Sequence, residues 1–279
     1  MHMYVHQGQI NHIVGDVTYL ALFLKRRNLY ITIHDLNIFE NSVGIKKFLI
    51  GMLWYQIPIN RAQRISTVSD FTKEAIVSQF NISPCRVYVI PNPINSAFKF
   101  VEKRPISTRR TVNILQIGTK ENKNIERCMV ALNKLSDRYR LRLTVLGRLD
   151  HKRDLPSNGT LEIVNKWDLS LNDVAALYQE SHLILFASTY EGFGMPILEA
   201  QAVGRPVVTS NLEPMRTVAG KGAFLVNPWS SADIARGIET LITNPQLADY
   251  LVESGLKNSK QYSLQKIAER YSAMYQANS

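Results

Sequence analysis

The sequence predicts an α/β protein made of two lobes, each with a parallel, doubly wound sheet. Short apolar runs alternate with amphipathic helical patterns along most of the chain, as in strands joined by crossover helices. A length of 279 residues is at the upper limit for one hydrophobic core, so two lobes are expected. Residues 91–110 are rich in Pro, Ser and basic residues and are typical of a linker between the lobes.

The first region alternates between strand and helix three times. Its predicted strands are 29–33, 64–67 and 86–90. Its predicted helices are 14–24, 44–57 and 69–79, the last of them capped by Ser69.

The second region repeats the alternation more often. Its predicted strands are 112–117, 141–146, 161–164, 182–186, 206–209 and 223–226. Its predicted helices are 124–135, 172–179 and 196–203, followed by helices that begin near Ser231, Pro245 and Leu264. We therefore expect an N-terminal lobe at 1–107, a C-terminal lobe at 108–260, and a C-terminal helix within 261–279 that packs back on the first lobe.

The positive charge is concentrated in the first lobe. Residues 1–110 hold 14 Lys and Arg against 6 Asp and Glu, whereas residues 111–279 hold 19 against 17. Such asymmetry indicates an anionic partner, namely nucleic acid, a phospholipid surface or a phosphorylated substrate, or else a solvated basic surface. No helix-turn-helix, zinc-finger or RNP-like motif accompanies the charge, so no nucleic-acid partner is expected.

Cysteine usage and hydropathy favour a cytoplasmic protein. Cys85 and Cys128 are isolated in the sequence, which excludes a disulfide framework and a cysteine zinc site and fits a reducing compartment. No stretch reaches the roughly 18–20 apolar residues of a membrane span. The first residues lack the basic and apolar regions of a signal peptide. We expect a cytoplasmic protein or one that is peripheral to a membrane.

The densest chemical signal is the segment TYEGFGMPILEA at 189–200. It follows an apolar strand, contains Gly192 and Gly194 in a loop, and places Pro196 where a helix would begin. A glycine loop that leads into a helix N-terminus offers N–H groups and a positive dipole end to a phosphate.

Two glutamates lie in this segment. Glu191 is in the loop and Glu199 is in the helix. Carboxylates do not bind phosphate but accept hydrogen bonds from hydroxyl pairs, such as those on the ribose and hexose of a nucleotide sugar. The alternative is an ordinary loop acid and an ordinary helix-surface acid, because a G-x-G pattern alone is weak.

These residues resemble a known family. Glu191 and Glu199, separated by seven residues that include GFGMP, look like the E-x7-E motif of the family 4 retaining glycosyltransferases, and residues 186–210 and 214–228 continue the similarity. Gly118-Thr119 with Lys123 resembles the first strand–loop–helix of that family's nucleotide-binding lobe. In the other lobe, His34 stands at a similar strand end, and 66–69 and 90–93 match later markers. The resemblance covers about residues 10–275.

The resemblance implies a GT-B architecture, with two Rossmann-like lobes and the active site in the cleft. It implies that Glu199 holds the ribose hydroxyls, that Glu191 holds hydroxyls of the transferred sugar, and that Lys123 neutralises the diphosphate. It further implies that His34 approaches the donor sugar. The backbone that would meet the diphosphate or the sugar belongs to Gly192, Phe193, Gly194, Met195, Pro196 and Ile197, with Gly118 and Thr119. For His34 the alternative is a strand-end histidine with only a structural hydrogen bond, and for Lys123 it is a lysine exposed to solvent.

One departure concerns the cations near the diphosphate. Many relatives carry an arginine after the glycine, where this chain has Thr119 followed by Lys120, so Lys120 or Arg148 would have to add to Lys123. The sequence has no Asp-x-Asp motif and its histidines are scattered. We expect no divalent metal and no cofactor; the nucleotide-diphosphate sugar is the donor substrate. The family retains anomeric configuration, by front-face attack on the usual proposal.

The first lobe looks shorter than the family's. His34, the first marker of the resemblance, comes early in the chain, whereas in the family it usually follows several strand–helix units. The resemblance therefore implies that the N-terminal lobe is incomplete, with roughly 70–90 residues missing at the start. The chain is then either a glycosyltransferase of surface polysaccharide assembly, acting on a glycan or lipid-linked acceptor, or a non-catalytic nucleotide-sugar-binding remnant or partner subunit. A sugar-nucleotide epimerase of related architecture fits 186–210 less well.

The segment 44–61 has two interpretations. Lys46 and Lys47 precede an apolar stretch that includes Trp54, and Arg61 and Arg64 follow it. A basic-flanked amphipathic helix is typical of contact with an anionic membrane surface. The alternative is an ordinary core helix in which Trp54 is buried.

Overall fold

The computed structural model describes residues 8–102, 106, 110–149 and 161–277. Two compact units divide the chain, residues 1–92 with 265–279 and residues 93–264. The predicted boundary between 107 and 108 lies outside the described residues. Each unit contains a parallel β-sheet with helices, which confirms the predicted α/β class with two Rossmann-like units.

The first unit has a four-stranded parallel sheet. Its strands follow one another in chain order as β1 (Asn11–Ile13), β2 (Leu29–Ile33), β3 (Arg64–Thr67) and β4 (Val87–Val89). All five residues of β2 are buried, because helices cover a parallel sheet on both faces. The α-helices of this unit are Asn37–Glu40, Gly44–Ile50, Ile57–Arg61, Asp70–Phe80 and Leu264–Gln276. Short 3-10 turns lie at Thr18–Phe23, Arg26–Asn28 and Pro84–Arg86.

The last helix, Leu264–Gln276, packs on the first unit's sheet around a histidine. His12 Nδ1 lies 2.6 Å from the Tyr275 hydroxyl, and His12 Nε2 lies 2.8 Å from Thr32 Oγ1. Ile267 and Met274 of this helix are buried with Tyr30. Burial lowers the pKa of His12 to about 4, so the ring is neutral and bridges strand and helix by hydrogen bonds.

The predicted helix 44–57 is present and continues to Arg61 through a π-helical turn at Gly51–Gln56. Pro58 explains the irregular turn. A proline has no N–H and crowds the carbonyl four residues earlier, here that of Trp54. The Trp54 carbonyl instead accepts a hydrogen bond from the Thr18 hydroxyl, which keeps a partner for this group.

The predicted helix at 14–24 is present only in part. The structure has only a 3-10 helix at Thr18–Phe23, after β1, a strand that the sequence pattern did not predict. Thr18, Ala21 and Leu24 are buried at a spacing of three residues, which fits a 3-10 helix as well as one turn of an α-helix. The helix capped by Ser69 is confirmed as Asp70–Phe80, with the Thr72 N–H donating to Ser69 Oγ over 3.1 Å.

The second unit has a six-stranded parallel sheet. Its strands are β5 (Val112–Ile117), β6 (Leu141–Leu146), β7 (Leu161–Lys166), β8 (Leu183–Phe186), β9 (Val207–Ser210) and β10 (Phe224–Val226). They lie in the order β10-β9-β8-β5-β6-β7. The helices are Ile125–Asn133, Leu171–Glu180, Met195–Val203, Met215–Ala219, Ser231–Thr243 and Pro245–Ser259. Within the described part of the chain, no helix is long and apolar enough to cross a membrane.

Candidate functional site

The second unit's sheet changes winding direction between β8 and β5. These strands pair directly, Gln116 opposite Leu185, although 65 residues separate the end of one from the start of the other in the chain. In an open α/β sheet, ligands bind beyond the carboxyl ends of the strands at such a switch point. The loops that leave β5 and β8 at this point carry Lys123 and Glu191, two of the predicted site residues.

Lys123 and Glu191 form an ion pair between the two loops. Lys123 Nζ lies 2.5 Å from Glu191 Oε1, with side-chain exposures of only 17% and 13%. The ammonium also lies 4.9 Å from the centre of the Phe186 ring, a cation–π contact. The pair therefore places one positive and one negative group at the switch point, both largely shielded from water.

Gly118 makes room for the lysine. Its φ of +86° favours glycine, and a Cβ built there would lie 2.9 Å from Lys123 Cγ and 2.9 Å from Cε. The aliphatic part of Lys123 therefore crosses the backbone at Gly118 on its way to Glu191. This contact is the physical reason for a glycine at the end of β5.

Asparagines, to which the sequence pattern assigns no role, join the two loops. Asn122 Nδ2 donates to the Tyr190 carbonyl over 2.8 Å and lies 3.4 Å from Glu191 Oε1. Asn124, in a left-handed conformation with φ of 58°, donates from Nδ2 to the carbonyls of Ala187 (2.9 Å) and Pro228 (2.8 Å). The signal that could have identified them is a polar side chain directly after a strand, because the backbone groups of such loops need hydrogen-bond partners from side chains.

The segment 192–197 forms the loop and the start of the predicted helix. Gly194 is the N-cap residue of Met195–Val203 with φ of 106°, and no side chain caps the helix there. Gly192, Met195 and Pro196 are half-buried, whereas Phe193 and Ile197 are buried. The Phe193 ring packs edge-on against Tyr262 at 5.9 Å. The loop therefore leaves the backbone at a helix N-terminus without a side-chain cap, beside the carboxyl end of β8.

Glu199 lies one turn further into this helix and is hydrogen-bonded to Tyr178, a residue for which the sequence pattern predicts no role in the site. The hydroxyl of the fully buried Tyr178 donates to Glu199 Oε2 over 2.5 Å. Burial raises the pKa of Glu199, an effect that the Tyr178 hydrogen bond partly offsets. Burial also raises the pKa of Tyr178 well above its usual range, so this phenol is a donor at neutral pH. In the sequence Tyr178 was only a member of the helix 172–179.

The other residues predicted to lie near the diphosphate are Thr119, Lys120 and Arg148. Thr119 packs against Gly147 at the end of β6, where a Cβ on Gly147 would lie 3.0 Å from Thr119 Cγ2. Lys120 and Arg148 are both exposed. Among the described residues, no group of three or more His, Cys, Asp or Glu side chains is placed to hold a metal ion.

His34 belongs to the first unit, where it follows β2. Its ring Nε2 lies 3.1 Å from the Val14 carbonyl, and its own carbonyl accepts a hydrogen bond from the Thr72 hydroxyl over 3.2 Å. The half-buried ring is thus held by the backbone beyond β1.

The fold and the site define the class of protein: two Rossmann-like units, one of which brings a lysine, a glutamate and a helix N-terminus to a topological switch point. The family of glycosyl transferases group 1 matches residues 102–258, and Glycosyltransferase Family 4 matches residues 10–98. The chain belongs to the group 1 glycosyl transferase family.

Two bacterial relatives are similar in sequence. The O-antigen chain mannosyltransferase RfbU of Salmonella typhimurium is 29% identical over 217 residues, which cover 74% of this chain and 60% of the relative. The O-antigen chain mannosyltransferase B of Escherichia coli is 26% identical over 254 residues, covering 83% of this chain and 66% of the relative. The chain therefore spans about two thirds or less of the length of these relatives.

Solved structures share the GT-B fold. Anabaena HepE, in a complex with UDP and glucose, matches with a TM-score of 0.74 at 17% identity, covering 94% of this chain and 77% of that structure. Sucrose-phosphate synthase from Thermosynechococcus elongatus matches with a TM-score of 0.73 at 16% identity, covering 96% and 73%. At sequence identities this low, the matches are evidence for the fold alone.

Proposed function

We propose that this protein transfers a hexose from a nucleotide-diphosphate sugar to a glycan or lipid-linked acceptor in surface polysaccharide biosynthesis, with retention of configuration. The observation that supports this most is the Lys123–Glu191 pair at the β5/β8 switch point, next to the uncapped helix at Met195. The two O-antigen mannosyltransferase relatives favour a hexose donor and a polysaccharide product. A structural neighbour in complex with UDP and glucose is consistent with such a donor.

In this proposal Lys123 and the helix N-terminus stabilise the leaving group. Cleavage of the sugar–phosphate bond increases negative charge on the diphosphate, and fixed positive groups lower the energy of that transition state. An ammonium has three N–H donors, so the bond to Glu191 leaves others for phosphate oxygens. The backbone at Gly118 and Thr119 and at 192–197 would line the same diphosphate. Because Lys123 supplies the charge, we propose that the reaction needs no divalent metal.

The carboxylates would bind sugar hydroxyls. We assign the hydroxyls of the transferred sugar to Glu191, beside the leaving group, and the ribose hydroxyls to Glu199. Tyr178 fixes Glu199 through one oxygen, which leaves acceptor sites on the carboxylate for a hydroxyl pair. We propose that His34, from the first unit, contacts the donor sugar.

The free cysteines, with Cys128 buried in the core, favour a reducing compartment and hence the cytoplasm.

A thermal-shift screen of the full chain with GDP-, UDP- and ADP-hexoses tests the donor site first. At about 100 times Kd a ligand stabilises by about 2.7 kcal/mol, a shift of about 5–10 °C for a unit of this size. The Lys123→Met variant should lose most of this shift. Lys134→Met, which removes an exposed lysine at the far end of the next helix, is the matched control and should keep it.

Turnover is then measured with the donor that binds, with and without EDTA. Sugar transfer that falls about 100-fold or more in Lys123→Met and is unaffected by EDTA supports the proposed mechanism. Binding without transfer to any acceptor supports the second candidate, a nucleotide-sugar-binding subunit. If no nucleotide sugar shifts the unfolding temperature, or if Lys123→Met binds and turns over the donor like the control, the assigned site is wrong.

A further inference from the structure

The six-stranded sheet of the second unit ends on one side in a long edge strand. Three of the four sheet edges in the two units are the three-residue strands β1, β4 and β10, whereas the fourth, β7, has six residues. No strand in the described part of the chain pairs with the outer side of β7. Soluble proteins usually keep such edges short, because an open edge is a template for pairing with another chain. The length of β7 therefore marks its outer side as a candidate interface.

The backbone of β7 presents hydrogen-bonding groups on this outer side. The Lys166 carbonyl accepts a hydrogen bond from the Gly147 N–H over 2.8 Å, so at Lys166 the backbone groups turn towards β6. Successive residues of a strand turn their N–H and C=O groups to alternate sides of the strand. Val164 therefore also faces β6, whereas Ile163 and Asn165 turn their backbone groups outwards.

Opposite charges lie at equal distances from the middle of this strand. Glu162 and Lys166 are both exposed, and each is two residues from the half-buried Val164. These three side chains share one face of the sheet, because side chains alternate between the faces. Arg142 of β6 lies beside Glu162, with 2.8 Å between Nε and Oε2. Along β7 this face therefore presents an acid, an apolar residue and a base in turn.

We propose that two copies of this chain pair antiparallel through β7, about a two-fold axis at Val164. In this register Ile163 of each copy lies opposite Asn165 of the other, and these outward-facing residues exchange both of their N–H···O bonds. Glu162 of each copy lies opposite Lys166 of the other. These are pairs without mutual backbone bonds, in which the Cα atoms are about 4.5 Å apart and the side chains are closest. The pairing joins two six-stranded sheets into one.

The charges favour this register and this partner. A slip that moves the axis to Glu162 or to Lys166 brings two like charges face to face, and so does a parallel pairing in register. A second copy supplies the complementary order of charges by symmetry, because a two-fold interface matches one surface with itself. Trp167, directly after the strand, is 45% exposed and lies beside the end of the second copy's strand in this register, where it adds apolar contact. The proposal does not rest on glycosyl transfer.

Sedimentation velocity of the full chain without donor, at about 1–200 µM, tests the pairing. A dimer should form as the concentration rises, and high salt should weaken it. Glu162→Lys places lysines opposite Lys166, and Lys166→Glu places glutamates opposite Glu162, so each variant alone should dimerise about tenfold or more weakly than the parent. Glu253→Lys makes the same charge change at an exposed position of the helix Pro245–Ser259 and is the matched control, which should dimerise like the parent.

Mixing the two β7 variants separates lost pairing from lost folding. One chain then carries two cations and the other two anions, so a mixed dimer regains both opposite-charge pairs. An equimolar mixture should recover most of the parent's dimerisation, with the mixed dimer identified by native mass spectrometry. Thermal unfolding of each variant should stay near that of the parent, because the Arg142–Glu162 pair that Glu162→Lys removes is exposed.

Three results would overturn the proposal. The first is a parent chain that stays monomeric up to about 200 µM. The second is a dimer that Glu162→Lys and Lys166→Glu both retain at the parent's strength. The third is an equimolar mixture of the two variants that dimerises no better than either variant alone.

Discussion

Replacing Gly118 by alanine should detach Lys123 from Glu191 without altering either charged residue. The new Cβ would lie 2.9 Å from Lys123 Cγ, well inside the 3.5–4.0 Å at which carbon atoms pack. The Cγ atom is near the backbone, so the lysine cannot relieve this contact by moving its ammonium end alone. The side chain must turn away, and the 2.5 Å contact with Glu191 is lost.

The size of the effect follows from two terms. A φ of +86° costs a residue with a Cβ about 1–2 kcal/mol. The clash and the broken ion pair add about 1 kcal/mol, since a largely shielded pair is worth more than the exposed average. The sum of about 2–3 kcal/mol corresponds to a loss of about 4–12 °C in unfolding temperature for a unit of this size.

A double-mutant cycle separates the two terms. In a Lys123→Ala background the clash is absent, so Gly118→Ala should cost only the backbone strain, and the coupling between the two positions should be about 1 kcal/mol. Thermal unfolding followed by circular dichroism measures all four proteins. Equal costs in both backgrounds would show that the lysine does not cross Gly118, and a Gly118→Ala protein as stable as its parent would refute the backbone conformation as well.

Three further predictions concern single side chains. Burial raises the pKa of Glu199, so folding favours the protonated carboxyl group. The stability that this group contributes is therefore lost as pH rises through the folded pKa. Glu199→Gln should unfold at a higher temperature than the parent at about pH 7, and the gain should be smaller at about pH 4. Asn124→Ala should cost about 2–4 kcal/mol, from lost bonds to two carbonyls and a strained left-handed backbone, while Asn124→Gly should recover about 1 kcal/mol of it in denaturant titrations. Thr18→Val should cost about 1–2 kcal/mol because the Trp54 carbonyl loses the hydrogen bond from the Thr18 hydroxyl. Thr240→Val, which removes an exposed hydrogen bond to the Arg236 carbonyl within a helix, should change the free energy of unfolding by less than about 0.5 kcal/mol.

The strands were predictable from sequence because each is a short run rich in apolar residues, continuous where both faces are buried, as in β8, and alternating where one face is more exposed, as in β6. The predicted strands 112–117 and 141–146 are confirmed residue for residue as β5 and β6. The helix after Ser69 was predictable because its cap is a local contact. The strand at Asn11–Ile13 was not, since three residues show no period.

The helical irregularities of the first unit depend on contacts between segments. Buried positions three apart at 18, 21 and 24 satisfy both an α-helix and a 3-10 helix, and the choice depends on what the segment packs against. The π-turn before Pro58 is stable because Thr18, about forty residues earlier in the chain, satisfies the carbonyl of Trp54. Neither the packing of residues 18–24 nor the Thr18–Trp54 hydrogen bond can be predicted from the local sequence pattern.

The candidate site shows the same limit in its chemistry. The spacing within the segment 189–200 identifies two glutamates but does not distinguish their surroundings. Strand order separates them: the β8–β5 pairing brings Glu191 against an ammonium from 68 residues earlier, while Glu199 faces the buried phenol of Tyr178. Alternating strands and helices are compatible with several strand orders, so neither partner follows from the pattern. In the proposed mechanism, Glu191 keeps the Lys123 ammonium beside the leaving group, whereas the buried Glu199 carboxylate is fixed in direction by the Tyr178 phenol. The proposed division of labour, sugar at Glu191 and ribose at Glu199, therefore depends on topology more than on the motif.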